Sequence, residues 1–65
     1  MVNFIMRYRV NGVEIYSVDI GAQSVRHAIW LSDLEPANHE DGIRYLYMLE
    51  GGCEVLVDSW AGIHQ

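Results

Sequence analysis

Two dipeptides constrain this chain more than anything else in it. Asn11-Gly12 and Gly51-Gly52 each lie between runs rich in β-branched, aromatic and other apolar residues. Each supplies two adjacent positions that accept a positive φ at low cost, which a two-residue type I′ turn requires. The first turn predicts a hairpin from Val2–Val10 and Val13–Ile20, and the second predicts one from Ile43–Glu50 and Cys53 to about Trp60. Counting outward from Asn11-Gly12 places Val10 opposite Val13, Arg9 opposite Glu14, Tyr8 opposite Ile15 and Arg7 opposite Tyr16. One face of this hairpin then carries Phe4, Met6, Tyr8, Val10, Val13 and Ile15. The other carries Arg7, Arg9, Glu14 and Tyr16, together with Ile5, Val18 and Ile20. The same count from Gly51-Gly52 sets Tyr47 opposite Leu56, Tyr45 opposite Asp58 and Ile43 opposite Trp60.

Gly21-Ala22-Gln23-Ser24 interrupts the strand pattern and opens a helix with Ser24 as N-cap, because its hydroxyl can accept from a free amide of the first turn. From Val25 to about Glu35 the spacing is helical, with Val25, Ala28, Ile29, Leu31 and Ser32 on one broad face. Pro36 closes the element, since a proline disfavours helical geometry at the residue before it. Trp30 and Leu34, four residues apart, fall on the opposite side. Either the helix lies in a groove and is covered twice, or this pair awaits a partner. A polar loop, 37–42, leads into the second hairpin, and the residues after Trp60 read as a frayed tail.

The element order is therefore β-β-α-β-β. The economical architecture is α+β: a four-stranded antiparallel sheet with one helix packed on one face, forming a single small domain over 1–65. The uncovered sheet face would leave tyrosine and tryptophan rings partly wet.

A chain of 65 residues buries only about 60% of the surface it exposes when unfolded, so the core is small. The single cysteine excludes an internal disulfide framework. No apolar run reaches the roughly 18 residues that cross a bilayer, and the segment after Met1 has no signal-peptide pattern, so a cytoplasmic protein is expected. Nine acidic residues face four arginines and no lysine, for a formal net charge of -5. A field of that sign repels nucleic-acid phosphates and favours basic partners, so no direct nucleic-acid binding is expected.

Catalytic chemistry finds little support. Cys53 with His27, His39 or His64 and a carboxylate could be drawn as a nucleophile set, but no local motif accompanies it. His39-Glu40-Asp41 holds three possible ligands in one loop, yet adjacent residues rarely converge on one ion. Gly51-Gly52 lacks the strand-to-helix context of a phosphate-binding loop. No enzyme activity, cofactor or metal is expected.

The acidic residues and exposed aromatics are the candidate functional set. Asp33, Glu35, Glu40 and Asp41 gather at the helix end and in the loop after it. Carboxylates at the negative end of a helix dipole are slightly destabilising, so stability alone would select basic residues there. Glu50, Glu54 and Asp58 form a second group on the last hairpin. Clustered carboxylates can compete with a phosphate backbone for a groove lined by Arg and Lys, and aromatic anchors such as Trp30, beside Leu34, are frequent at protein–protein hot spots. The plain reading of the same charges is a solvated acidic surface.

In size, charge, lack of lysine and order of elements, with Asn11-Gly12 and Gly51-Gly52 hairpins around a Ser24-capped helix, the chain resembles small phage-encoded anti-CRISPR proteins, in particular inhibitors of type I systems such as I-C. The resemblance implies a monomeric, non-enzymatic DNA mimic. Such a protein binds a Cas effector or surveillance complex in the host bacterial cytoplasm and blocks target DNA recruitment. No residue role transfers by position, because these families share no common active residues. Two other readings stand beside it. One is an antitoxin-like or phage accessory interaction module that dimerises through a sheet edge or apolar face. The other is a binder of a small ligand between helix and sheet.

Overall fold

The computed structural model describes residues 1–37 and 39–61. Its elements run β1 (Val2–Val10), β2 (Val13–Ala22), α1 (Val25–Asp33), β3 (Gly42–Glu50) and β4 (Cys53–Ala61). The four strands form one antiparallel sheet in the order β2-β1-β3-β4, and the fold is α+β as the sequence predicts. Both turns have their expected geometry, with φ of 51° and 81° at Asn11 and Gly12 and 58° and 82° at Gly51 and Gly52.

The registers depart from simple counting at one place in each outer strand. Arg9 pairs with Glu14, but Tyr8 pairs with Tyr16, so Ile15 is the extra residue of a β-bulge. The expected pairs Tyr8–Ile15 and Arg7–Tyr16 are therefore corrected to Tyr8–Tyr16 and Arg7–Ser17. The consequence is large, because a one-residue shift exchanges the two faces of a strand. Tyr16, Val18 and Ile20 turn toward the helix and join the core, while Ile15 is left exposed. In β4 the pair Tyr47–Leu56 is as counted. A bulge at Val57 then places Ser59, not Asp58, opposite Tyr45, and Ala61, not Trp60, opposite Ile43. Trp60 thereby pairs with Arg44. Bulges on both edge strands also disturb the free hydrogen-bonding rims through which sheets aggregate.

β2 and β3 run parallel on either side of β1, and α1 joins them. The core is the layer between sheet and helix: Phe4, Met6, Tyr8, Ile20, Ala22 and Leu46 below, Ala28 above, and Ala37 from the loop. Ser24 caps the helix by accepting from the His27 N–H at 3.1 Å. Ser32 is fully buried, and its hydroxyl donates back to the Ala28 carbonyl at 2.8 Å, so no polar group is stranded. The helix ends at Asp33, with Leu34 as C-cap, slightly before the expected Glu35.

The C-terminal end of α1 is held by Arg44, which reaches it from β3. Its side chain is 1% exposed. The guanidinium donates to the Ser32 carbonyl and, at 2.8 Å, to the Glu35 carbonyl, and its Nε lies 3.8 Å from Asp33 Oδ1. A buried cation is tolerable here because the last carbonyls of a helix carry partial negative charge and lack backbone partners. The basic residue missing from the last helical turn is supplied by the sheet.

Candidate partner-binding surface

Arg44 changes the meaning of the first acidic group. Asp33 faces Arg44 and accepts a 2.7 Å hydrogen bond from Trp60 Nε1, which clamps the helix to β3 and β4. Its carboxylate is thus half engaged inside the fold. Glu35 contributes its backbone carbonyl to Arg44, while its side chain forms no hydrogen bond or ion pair among the described residues. Glu40 and Asp41 are exposed in the loop that enters β3. Since Arg44 ties the helix end to a point two residues beyond Gly42, Glu35, Glu40 and Asp41 share one end of the molecule. Leu34 adjoins them, one helical turn after Trp30, and both Trp30 and Leu34 are 59% exposed. The helix is therefore covered on one side only.

The second acidic group does not join the first. Glu50 lies at the far end of β3 from Asp41, a strand of nine residues that spans about 27 Å. Asp58 Oδ1 accepts from the neighbouring Ser59 N–H at 2.8 Å. Glu54 belongs to a network on the uncovered face of the sheet. Arg7 Nε and Nη2 donate to its two carboxylate oxygens at 2.9 and 2.6 Å, and Arg7 Nη1 donates to Glu14 at 3.0 Å. Arg9 lies 3.7 Å from Glu14, donates to the Tyr47 hydroxyl at 2.8 Å, and stacks with its guanidinium carbon 4.7 Å from the Tyr45 ring centroid. The arginines sheathe the half-wet tyrosines of this face, where burying each ring beneath an Arg stem takes the place of a second layer.

These contacts leave an uneven surface charge. Arg7, Arg9 and Arg44 face Glu14, Glu54 and Asp33. Among the described residues, Asp19, Glu35, Glu40, Asp41, Glu50 and Asp58 have no ion-pair partner, and Arg26 is the one arginine without one. Three of the four arginines are thus paired with carboxylates within the fold.

A hydrogen bond from Arg7 holds the Glu54 carboxyl below its ordinary range and, together with the charges of Glu14 and Glu54, raises the Arg7 guanidinium. Burial pushes the Tyr16 phenol up, and that hydroxyl donates to the Pro36 carbonyl. A depressed carboxyl stabilises the fold above the unfolded value of about 4.3, and the benefit is lost as pH falls through the lower folded value. Glu54→Gln should therefore melt below the parent at pH 7, with the gap closing near pH 3. Thermal melts at the two pH values check this.

A cleft of about 370 Å³ opens where the first turn meets the loop before β3, lined by Arg9, Asn11, Glu40, Asp41, Ile43 and Tyr45 among others. No group of three metal-ligating side chains converges among the described residues. Cys53 is exposed at the start of β4; Ala61, expected to open the tail, instead closes β4 opposite Ile43, and the rest of that tail, with His64, lies outside the described residues. No helix among the described residues is long and apolar enough to cross a membrane. Comparison with known proteins found no matching family model, curated protein or solved structure.

Proposed function

We propose that this chain is a non-enzymatic protein-binding domain that docks onto a basic partner surface through the outer row of α1 and the acidic loop beside it. The observation that carries the reading is the exposure of Trp30 and Leu34, each 59%, on the row of α1 that ends beside Glu35, Glu40 and Asp41, whose carboxylates have no ion-pair partner among the described residues. An exposed tryptophan offers a large apolar contact with few rotamers to freeze, and the carboxylates match Arg and Lys on the partner. In its most specific form, suggested by the resemblance to anti-CRISPR proteins, the partner is a DNA-binding groove of a type I Cas effector, and occupancy excludes target DNA. Asp33 and Glu54 act within the fold in this reading, and Glu50 stands apart from the docking end.

The purified effector complex, mixed with labelled target duplex and increasing amounts of this chain, provides the test. Target capture should fall as the chain is added, and raising the salt should weaken the inhibition, since charge pairing across the interface is screened. Undiminished capture at saturating chain would remove the Cas-directed form of the proposal.

A further inference from the structure

The exposed row of α1 has a charge arrangement that complements itself. Arg26, Trp30 and Leu34 recur every four residues and form one ridge, with Glu35 just past its end. Arg26 is exposed, Glu35 at the opposite end is half-buried, and neither has an ion-pair partner among the described residues. A two-fold axis through Trp30 turns the ridge end for end. Position 26 of one copy then faces 34–35 of the other, so a cation meets a carboxylate at both ends.

We infer that α1 is also a self-association surface, on which a second copy of this chain packs antiparallel, Trp30 against Trp30 at the axis, with Arg26 of each copy paired to Glu35 of the other. Such an arrangement is isologous, each surface meeting itself, as in most small dimers. It also gives Arg26, which has no ion-pair partner among the described residues, a carboxylate to pair with. The contact is small: α1 has nine residues and is about 14 Å long, too short for its one exposed row to bury the roughly 800 Å² per partner of a standard interface. Association is accordingly weak, with a Kd of about 0.1 to 1 mM. At micromolar concentration the chain is a monomer with the row free. Self-association and partner docking use the same residues and exclude one another.

Sedimentation equilibrium on the whole chain, from about 10 µM to about 2 mM, reads this directly. The weight-average mass should rise toward twice the monomer. Trp30→Ala should abolish the rise. Arg26→Glu and Glu35→Arg should each weaken it about fivefold to tenfold, and the double variant R26E/E35R should return to within about threefold of the parent. These side chains are outside the core, so circular dichroism should show each variant folded. A constant monomer mass across the range would overturn the inference. So would a dimer that survives Trp30→Ala, which would place the contact on a sheet edge, or a charge swap that fails to restore association. Failure here leaves the partner proposal intact, because docking is measured at concentrations where the chain is monomeric.

Discussion

Replacing Arg44 with methionine should lower the melting temperature by about 15 to 30 °C, or leave the chain unfolded at room temperature. Methionine nearly fills the space of the buried stem but offers no donor. The Ser32 and Glu35 carbonyls then lose a charged partner at a helix end sealed against the sheet. A hydrogen bond from a charged donor contributes about 1.5 to 3 kcal/mol, so the pair accounts for about 3 to 6 kcal/mol. Asp33 adds less, because half of its side chain reaches solvent and water can replace the lost cation. A domain of this length has a total stability of only about 3 to 10 kcal/mol, and each kcal/mol is worth about 4 to 8 °C. Arg44→Lys should recover part of the loss, since one ammonium cannot reproduce a fork that spans two carbonyls. A methionine variant melting within about 5 °C of the parent would show that the helix end does not depend on this residue.

The second large effect is expected at Gly42. A Cβ built there falls inside the Tyr8 ring, against its hydroxyl, Cζ and Cε1. The ring cannot swing away. It is buried, packs 5.4 Å from Tyr16, and its hydroxyl both accepts from the His39 N–H at 3.3 Å and contacts the His39 carbonyl at 3.4 Å. Gly42→Ala should thus cost about 1 to 3 kcal/mol of overpacking, and more if the Tyr8 hydroxyl loses its partners. A fall of about 5 to 25 °C in Tm follows. Gly21→Ala is the control: its new methyl would meet only the thioether of exposed Met1, which can move aside. Equal melting temperatures for the two variants would contradict the packing at Gly42.

What the sequence revealed follows from how local each signal is. Asn11-Gly12 and Gly51-Gly52 specify their turns through their own backbone preferences, and Ser24 and Pro36 bound the helix by local chemistry. The element order and sheet therefore follow from the sequence. The bulges do not follow from counting outward from the turns: the first leaves only a faint mark, the change of polar phase from Glu14 to Ser17 and Asp19, and the second sits at the end of the apolar run Val55-Leu56-Val57, which carries none. Counting from Asn11-Gly12 alone therefore puts Tyr16 on the wrong face. Arg44 was missed because its partners are backbone carbonyls nine and twelve residues away in the chain. One signal pointed to it: a helix ending in Asp33 and Glu35 with no basic residue in its last turn needs a cation from elsewhere. The candidate surface was legible in part. Trp30 and Leu34 were separable from Ala28 and Ser32 by helical spacing, whereas the fates of Asp33 and Glu54 depended on contacts across the fold.

The proposed docking surface joins Trp30 and Leu34 to the carboxylates of Glu35, Glu40 and Asp41. Calorimetric titration into a purified type I Cas effector tests it most directly, comparing the parent with Trp30→Ala and with the triple reversal E35K/E40K/D41K, each first shown to melt like the parent. The account predicts a saturable complex with the parent, a loss of at least about thirtyfold in affinity for Trp30→Ala, and a comparable or larger loss for the reversal. Binding by both folded variants as tight as the parent's would contradict it.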